Sequence, residues 1–212
     1  MQELTARETI LKKIRQALIH KTALRFPSVD WEKNVYHSGI ESGEEEFAKA
    51  FTKAGGQFMF CETELDFFEN IVILAQENKW QHFYCHEKRI TDFMDKVGVP
   101  YTTDDKNFPE GIAAITTCEA LVSRLGSVIV SSKQGSGRRL FVIPTIHIIL
   151  AFTSQLVPEI KDALQMIKNK YGEQLPSLIA SLTGPSRTAD IEKTLVTPAH
   201  GPRDIFVFLV DG

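Results

Sequence analysis

The pattern of this chain predicts an α/β protein built around a mainly parallel sheet, and three observations predict it. Strand and helix patterns alternate at short intervals between residues 57 and 100, the spacing of βαβ units. Branched apolar stretches at 127–130, 140–143 and 145–150 supply further strands in the middle of the chain. Near the end, Ile205-Phe206-Val207-Phe208-Leu209-Val210 is an unbroken apolar run, which fits a strand covered on both faces.

Taken in order, Thr5-Ala6-Arg7-Glu8 reads as a capping box, in which threonine and glutamate satisfy each other's backbone amides at a helix start. The helix it opens carries Ile10, Leu11, Ile14 and Leu18 at helical spacing, a stripe that requires a surface to pack on. Residues 25–40 lack periodicity and include Pro27, Trp31 and Gly39, so 1–40 form a helical appendage with a connector and 41–212 the α/β domain. A second capping box, Ser42-Gly43-Glu44-Glu45, starts a helix that stops at Gly55-Gly56. A strand at 57–60 follows, then a helix at 66–78 with Phe67, Phe68, Ile71, Leu74 and Ala75 inward. Next come a strand at 82–85 and a helix at 88–97, which Gly98 and Pro100 end.

The middle section is read as an extended stretch at 111–116, one helical turn at 118–123, and strands at 127–130 and 140–143. Lys133-Gln134-Gly135-Ser136-Gly137-Arg138 joins those two strands. A Gly-Ser-Gly loop between cations is either a flexible hairpin loop or a phosphate cradle, and it matches neither the P-loop nor the dinucleotide fingerprint. The strand 145–150 carries His147, a hydrogen-bonded core residue or a ligand-binding one. Pro158 and Gly172 bracket a helix whose inward stripe is Ile160, Ala163, Leu164 and Ile167.

The densest stretch is Thr183-Gly184-Pro185-Ser186-Arg187-Thr188-Ala189-Asp190. Gly184 and Pro185 force a turn. Ser186 and Thr188 then cap a short helix, 189–195, with Asp190 and Glu192 against its positive end. The helix stops before Pro198, and His200-Gly201-Pro202-Arg203 makes a second turn into the last strand. Free amides, two hydroxyls and a guanidinium in one corner suit a small anion. The same residues also suffice merely to cap a helix and fix a corner. The candidate ligand-binding residues here are Gly184, Ser186, Arg187, Thr188 and His200, with His147 in the neighbouring strand.

Composition narrows the classes. A chain of 212 residues buries roughly 70% of its unfolded surface and needs no disulfide or metal to fold. A net charge of −3 offers nothing to nucleic acid or to an anionic membrane. No apolar stretch approaches the ~20 residues of a membrane span, and residues 1–13 are polar, as expected without a secretory leader. Cys61, Cys85 and Cys118 are scattered, odd in number and without CxxC spacing. They are expected to be free buried thiols in a cytoplasmic protein that holds no zinc or iron–sulfur cluster of its own.

Thr183-Gly184-Pro185-Ser186-Arg187-Thr188-Ala189-Asp190-Ile191-Glu192, followed by His200-Gly201-Pro202, resembles the signature of the LUD-domain family. Pro144, His147-Ile148 and Val157-Pro158-Glu159 are similar to the same pattern, and the resemblance is sharp over 111–211. It implies a Rossmann-like three-layer sandwich of the NagB/RpiA/CoA-transferase-like kind. It also implies a part in bacterial oxidation of L-lactate to pyruvate, beside two partner proteins that carry the iron–sulfur clusters. No catalytic residues carry over. Where family members read Glu-Thr-Gly-Thr, this chain reads Arg124-Leu125-Gly126-Ser127. A carboxylate related to that of the transferases is thus lost, and either Glu119 substitutes for it or Arg124 adds an anion contact beside Arg187 at the sheet's carboxyl edge. The fold analogy leaves a second function open, a stand-alone transferase or ligase acting on a phosphorylated or CoA-bearing substrate.

Overall fold

The structure is a computed structural model and describes residues 5–19, 42–80, 82–104, 113–185, 188–189, 195–196 and 200–212. The chain divides into two units, Met1–His37 and Ser38–Gly212. In the first, helix α1 (Ala6–Ile19) begins at its capping box, where Glu8 Oε2 accepts from the Thr5 amide and hydroxyl, each at 2.9 Å.

The second unit starts with α2 (Gly43–Lys53), capped by Ser42 Oγ accepting from the Glu45 amide. Strand β1 (Gln57–Cys61), α3 (Glu64–Asn78), β2 (Phe83–Tyr84), α4 (Lys88–Val97) and β3 (Tyr101–Thr102) alternate as the spacing requires. A capping box of Thr63 and Asp66 starts α3. The middle of the chain forms β4 (Ala113–Thr117), β5 (Ala120–Val122), β6 (Ser127–Ser131), β7 (Ile146–Phe152) and β8 (Leu156–Val157). Helix α5 (Ile160–Tyr171), β9 (Ile179–Leu182), β10 (Thr188–Ala189), β11 (Leu195–Val196) and β12 (Asp204–Val210) complete it.

Six strands make the central sheet in the order β1-β12-β7-β4-β2-β3, with every neighbouring pair parallel. The α/β class read from the sequence is the class observed. Strand β12 shows why its run is unbroken. Phe206, Phe208 and Val210 pack toward Phe67 and Ile71 of α3, while Ile205, Val207 and Leu209 pack toward Phe47 and Phe51 of α2 and Val128 of β6. With both faces covered, no position is left for a polar residue. Each such side chain contributes about 1.5–3 kcal/mol of gross burial energy. A second, four-stranded sheet, β8-β5-β6-β9, covers the α2 face, and α5 packs behind it through Ala163 and Ile167 against Ala120, Val122 and Ile129.

Four expectations are corrected. Residues 118–123 do not form a helical turn: Ala120 and Val122 face α5, Leu121 faces the central sheet, and this alternation makes β5. Residues 140–143 are not a strand. Both edges of β6 are taken, by β5 and by β9, so no ladder is open to them. Arg139–Phe141 winds instead into a 3-10 turn that buries Leu140 and Phe141 and leaves Val142 and Ile143 exposed. The helix expected at 189–195 is replaced at its ends by an antiparallel pair, Thr188 opposite Val196 and Ala189 opposite Leu195; 190–194 lie outside the described residues. Seven residues are too few for a helix to persist without tertiary support. In α5, Ala163 and Ile167 are buried, but Ile160 and Leu164 are 39% and 46% exposed, so the inward stripe is half as wide as the periodicity suggests.

Candidate functional site

Gly184 sits at φ +74°, and a Cβ there would lie 2.5 Å from the Ala54 carbonyl oxygen, so the corner admits only glycine. Ser127 Oγ and Thr183 Oγ1 share a hydrogen bond at 2.6 Å that ties the corner to β6. Beside it opens a cleft of about 530 Å³ lined by Phe141, Gly184, His200, Gly201, Pro202 and Ile205, among others. Its position departs from expectation. Ala54 precedes β1, Phe141 precedes β7 and Ile205 opens β12, so the cleft lies at the amino ends of the parallel strands. Open α/β sheets take their ligands at the carboxyl ends. His200 is exposed and lines the cleft. Thr188 enters β10, while Ser186 and Arg187 lie outside the described residues.

Arg124 does not join this corner. Its guanidinium holds Glu159 in a two-pronged pair, Nε to Oε1 at 2.6 Å and Nη2 to Oε2 at 2.8 Å. The Arg124 hydrogen bonds keep the Glu159 carboxyl below the usual carboxylate range. The expected anion contact is therefore met by a carboxylate of the same chain.

His147 lies wholly inside β7, flanked by β12 and β4. The Thr116 hydroxyl donates to the Thr117 carbonyl at 3.1 Å, so His147 Nε2, 2.8 Å from Thr116 Oγ1, carries the ring proton and donates it. Nδ1 is then a buried acceptor with no partner. Burial pushes the imidazole down to about 3, so the ring is neutral at physiological pH.

Glu119 is buried and fully bonded. Its Oε1 accepts from Ser131 Oγ at 2.6 Å and from the Tyr171 hydroxyl at 2.7 Å, and its Oε2 pairs with Lys170 Nζ at 2.8 Å. Burial alone would raise its pKa, but the bonds from Lys170, Ser131 and Tyr171 outweigh it and hold the carboxyl below its ordinary value. An anion held this firmly is a poor nucleophile, so Glu119 is not a substitute for the family carboxylate. The three thiols are buried and free, and burial pushes Cys85 up to about 12, which makes it inert at neutral pH.

The carboxyl ends hold a cluster that sequence reasoning missed. The chain leaves β2 outward, through α4 to β3, and leaves β4 in the opposite direction, through the second sheet to β7. Neighbours β2 and β4 thus form a topological switch point, where such sheets open a crevice. Glu87, just after β2, fills it. Its Oε1 accepts from the Thr117 amide and the Ser136 hydroxyl, both at 2.8 Å, and its Oε2 accepts from the Thr117 hydroxyl at 2.6 Å. Gln134 Nε2 donates to the Thr117 carbonyl at 2.8 Å. In the same loop Lys133 Nζ bonds the Gln174 carbonyl and Arg138 bonds Ser177 Oγ. The cations of the Gly-Ser-Gly loop are thus committed to protein groups, and the buried Ser136 points inward. The phosphate-cradle reading loses its donors. The loop itself was visible in the sequence, but its partners lie 17 and 49 residues away.

Among the described residues, no helix is long and apolar enough to cross a membrane. The LUD domain family matches residues 105–210, half of the 212-residue chain. The chain is 38% identical over 90 residues to Lactate utilization protein C of Bacillus licheniformis, covering 42% of this chain and 38% of that protein. Its namesake from Bacillus velezensis is 28% identical over 170 residues, 76% and 70% of the two chains. The one from Shouchella clausii is 36% identical over 139 residues, 62% and 61%. The chain thus spans between 38% and 70% of the length of these relatives. The crystal structure of a DUF162 family protein from Deinococcus radiodurans superposes with a TM-score of 0.56 at 20% identity, covering 80% of this chain and 99% of that one, a likeness of fold.

Proposed function

Because the chain belongs to the LUD-domain family, we propose that it is a cytoplasmic component of a bacterial system that oxidises L-lactate to pyruvate. In this reading it works beside iron–sulfur partner proteins, carries no cluster itself and engages a small carboxylate. The observation that carries the reading is its similarity to three proteins named Lactate utilization protein C. The thiols are compatible with this division of labour, since all three are free and buried. The cleft beside Gly184 and His200 supports ligand binding at the corner that the family signature marks.

Deleting the gene in its host is expected to abolish growth on L-lactate as sole carbon source, with the intact chain restoring it. The tagged chain is expected to co-purify with an iron–sulfur protein. Unchanged growth on lactate would refute the reading. For the corner, L-lactate at 100 times its dissociation constant adds ~2.7 kcal/mol of stability, a rise of roughly 5–10 °C in melting temperature for a chain of this size. His200→Ala is expected to remove that rise while leaving the unliganded melting temperature within about 2 °C, as for an exposed side chain. Stabilisation by CoA esters or sugar phosphates in place of lactate would move the function to group transfer.

A further inference from the structure

We infer that the three donors gathered on Glu87 form a receptor for a small monocarboxylate, with Glu87 as its tethered competitor. Only the choice of ligand class rests on the lactate reading; the receptor rests on its geometry. The Thr117 amide at 2.8 Å, the Thr117 hydroxyl at 2.6 Å and the Ser136 hydroxyl at 2.8 Å satisfy both oxygens of one carboxylate. The donors are built in. Thr117 ends β4, inside the central sheet, and Ser136 is 2% exposed. The direction of the threonine proton is also set. Gln134 Nε2 donates to Thr117 Oγ1 at 3.3 Å and is itself fixed by the Ser131 amide on its Oε1 at 2.7 Å. The Thr117 proton is left for the carboxylate.

The acceptor is the movable part. Glu87 is half-buried and stands at the N-cap of α4, yet its side chain makes no capping bond there. Swung out of the receptor, its carboxylate meets the positive end of that helix, a favourable place for an anion. Exchanging one carboxylate for another conserves both the charge in the crevice and its three hydrogen bonds. The incoming acid competes with the high local concentration of a tethered group and with the charge that the displaced Glu87 keeps nearby. The crevice is the switch point between β2 and β4, where open α/β sheets accept ligands. Gly135 lies close against the Glu87 side chain, a Cβ there meeting Glu87 Cγ at 3.3 Å, so a ligand that takes this place must be small. Acetate and short 2-hydroxy or 2-oxo acids fit this description.

The test is an NMR titration of the full chain with sodium acetate, following the amides of Thr117 and Ser136. Glu87→Ala is expected to bind acetate at least about tenfold more tightly than the wild type, because its competitor is gone. Adding Ser136→Ala to that variant is expected to reverse the gain by about tenfold, the loss of one charge-assisted bond. Glu87→Gln keeps the side-chain shape and is expected to bind more tightly than the wild type as well, which serves if the alanine variant does not fold. Equal affinity in wild type and Glu87→Gln, or a gain that Ser136→Ala leaves untouched, would overturn the inference. Acetate, rather than lactate, is the probe: a negative titration leaves the growth phenotype standing, and a negative growth phenotype leaves the receptor standing.

Discussion

Replacing Gly126 with alanine lowers the melting temperature by roughly 10 °C, because the added methyl group runs into the backbone of α2. Gly126 is at φ +59°, where an L side chain adds ~1–2 kcal/mol of strain. The greater cost is steric. A Cβ there would lie 2.2 Å from the Phe51 amide nitrogen and 2.5 Å from the Ala50 carbonyl carbon, both backbone atoms of α2. Helix α2 would have to lift, drawing the fully buried rings of Phe47 and Phe51 out of the core beneath β12. Strain and overpacking together come to ~3–5 kcal/mol, at about 2–4 °C per kcal/mol for a chain of this length. Gly98→Ala is the control. Gly98 is at φ +71° with nothing within 4 Å of its added Cβ, so only the strain remains, a loss of about 2–8 °C. Thermal melts of the two variants decide the matter: equal losses would mean that α2 does not rest on the turn at Gly126.

The second large effect is a loss of stability in mild acid. His147 titrates near 6.5 when unfolded but only at about 3 when folded, because burial opposes its charge. Between those values the unfolded chain binds a proton that the folded chain does not, so stability falls as pH falls. The slope is ~1.4 kcal/mol per pH unit, or about 2 kcal/mol between pH 6.5 and 5.0. Glu119 acts lower on the scale. Its folded carboxyl lies below the ordinary value of 4.5, so its contribution is fully present above that value and is lost only on further acidification. The two groups therefore separate in pH. Urea unfolding at pH 7.0 and 5.0 should show the loss in the wild type. His147→Asn is expected to start less stable, because it leaves space beside Phe141, yet to lose about 2 kcal/mol less over the same interval. An unchanged slope in the variant would show that the imidazole is not the group responsible.

Much of the site's frame was legible, and its chemistry was not. The Gly184 corner could be read because Gly-Pro restricts the backbone through its own atoms, whatever surrounds it. The end of the sheet at which that corner lies could not be read, since it depends on the direction in which β12 runs once β1 and β7 flank it. Arg124 does meet an anion, but that anion is Glu159 of the same chain, 35 residues on, where no local pattern pairs the two. Glu87 gave no signal at all. A glutamate before a helix is ordinary, and its three donors come from residues 30 and 49 positions away.

By itself the sequence determined the caps of α1 and α2, the alternation of strand and helix through α4, and the two-sided burial of 205–210. Each is set by bonds within four residues or by an apolar pattern that no neighbour is needed to interpret. Only the tertiary structure decided that 140–143 would be refused a ladder, that Ala120–Val122 would extend, and that β2 and β4 would meet with their exits opposed. Those outcomes turn on which strand edges remain open after the others have paired, a competition among segments far apart in the chain.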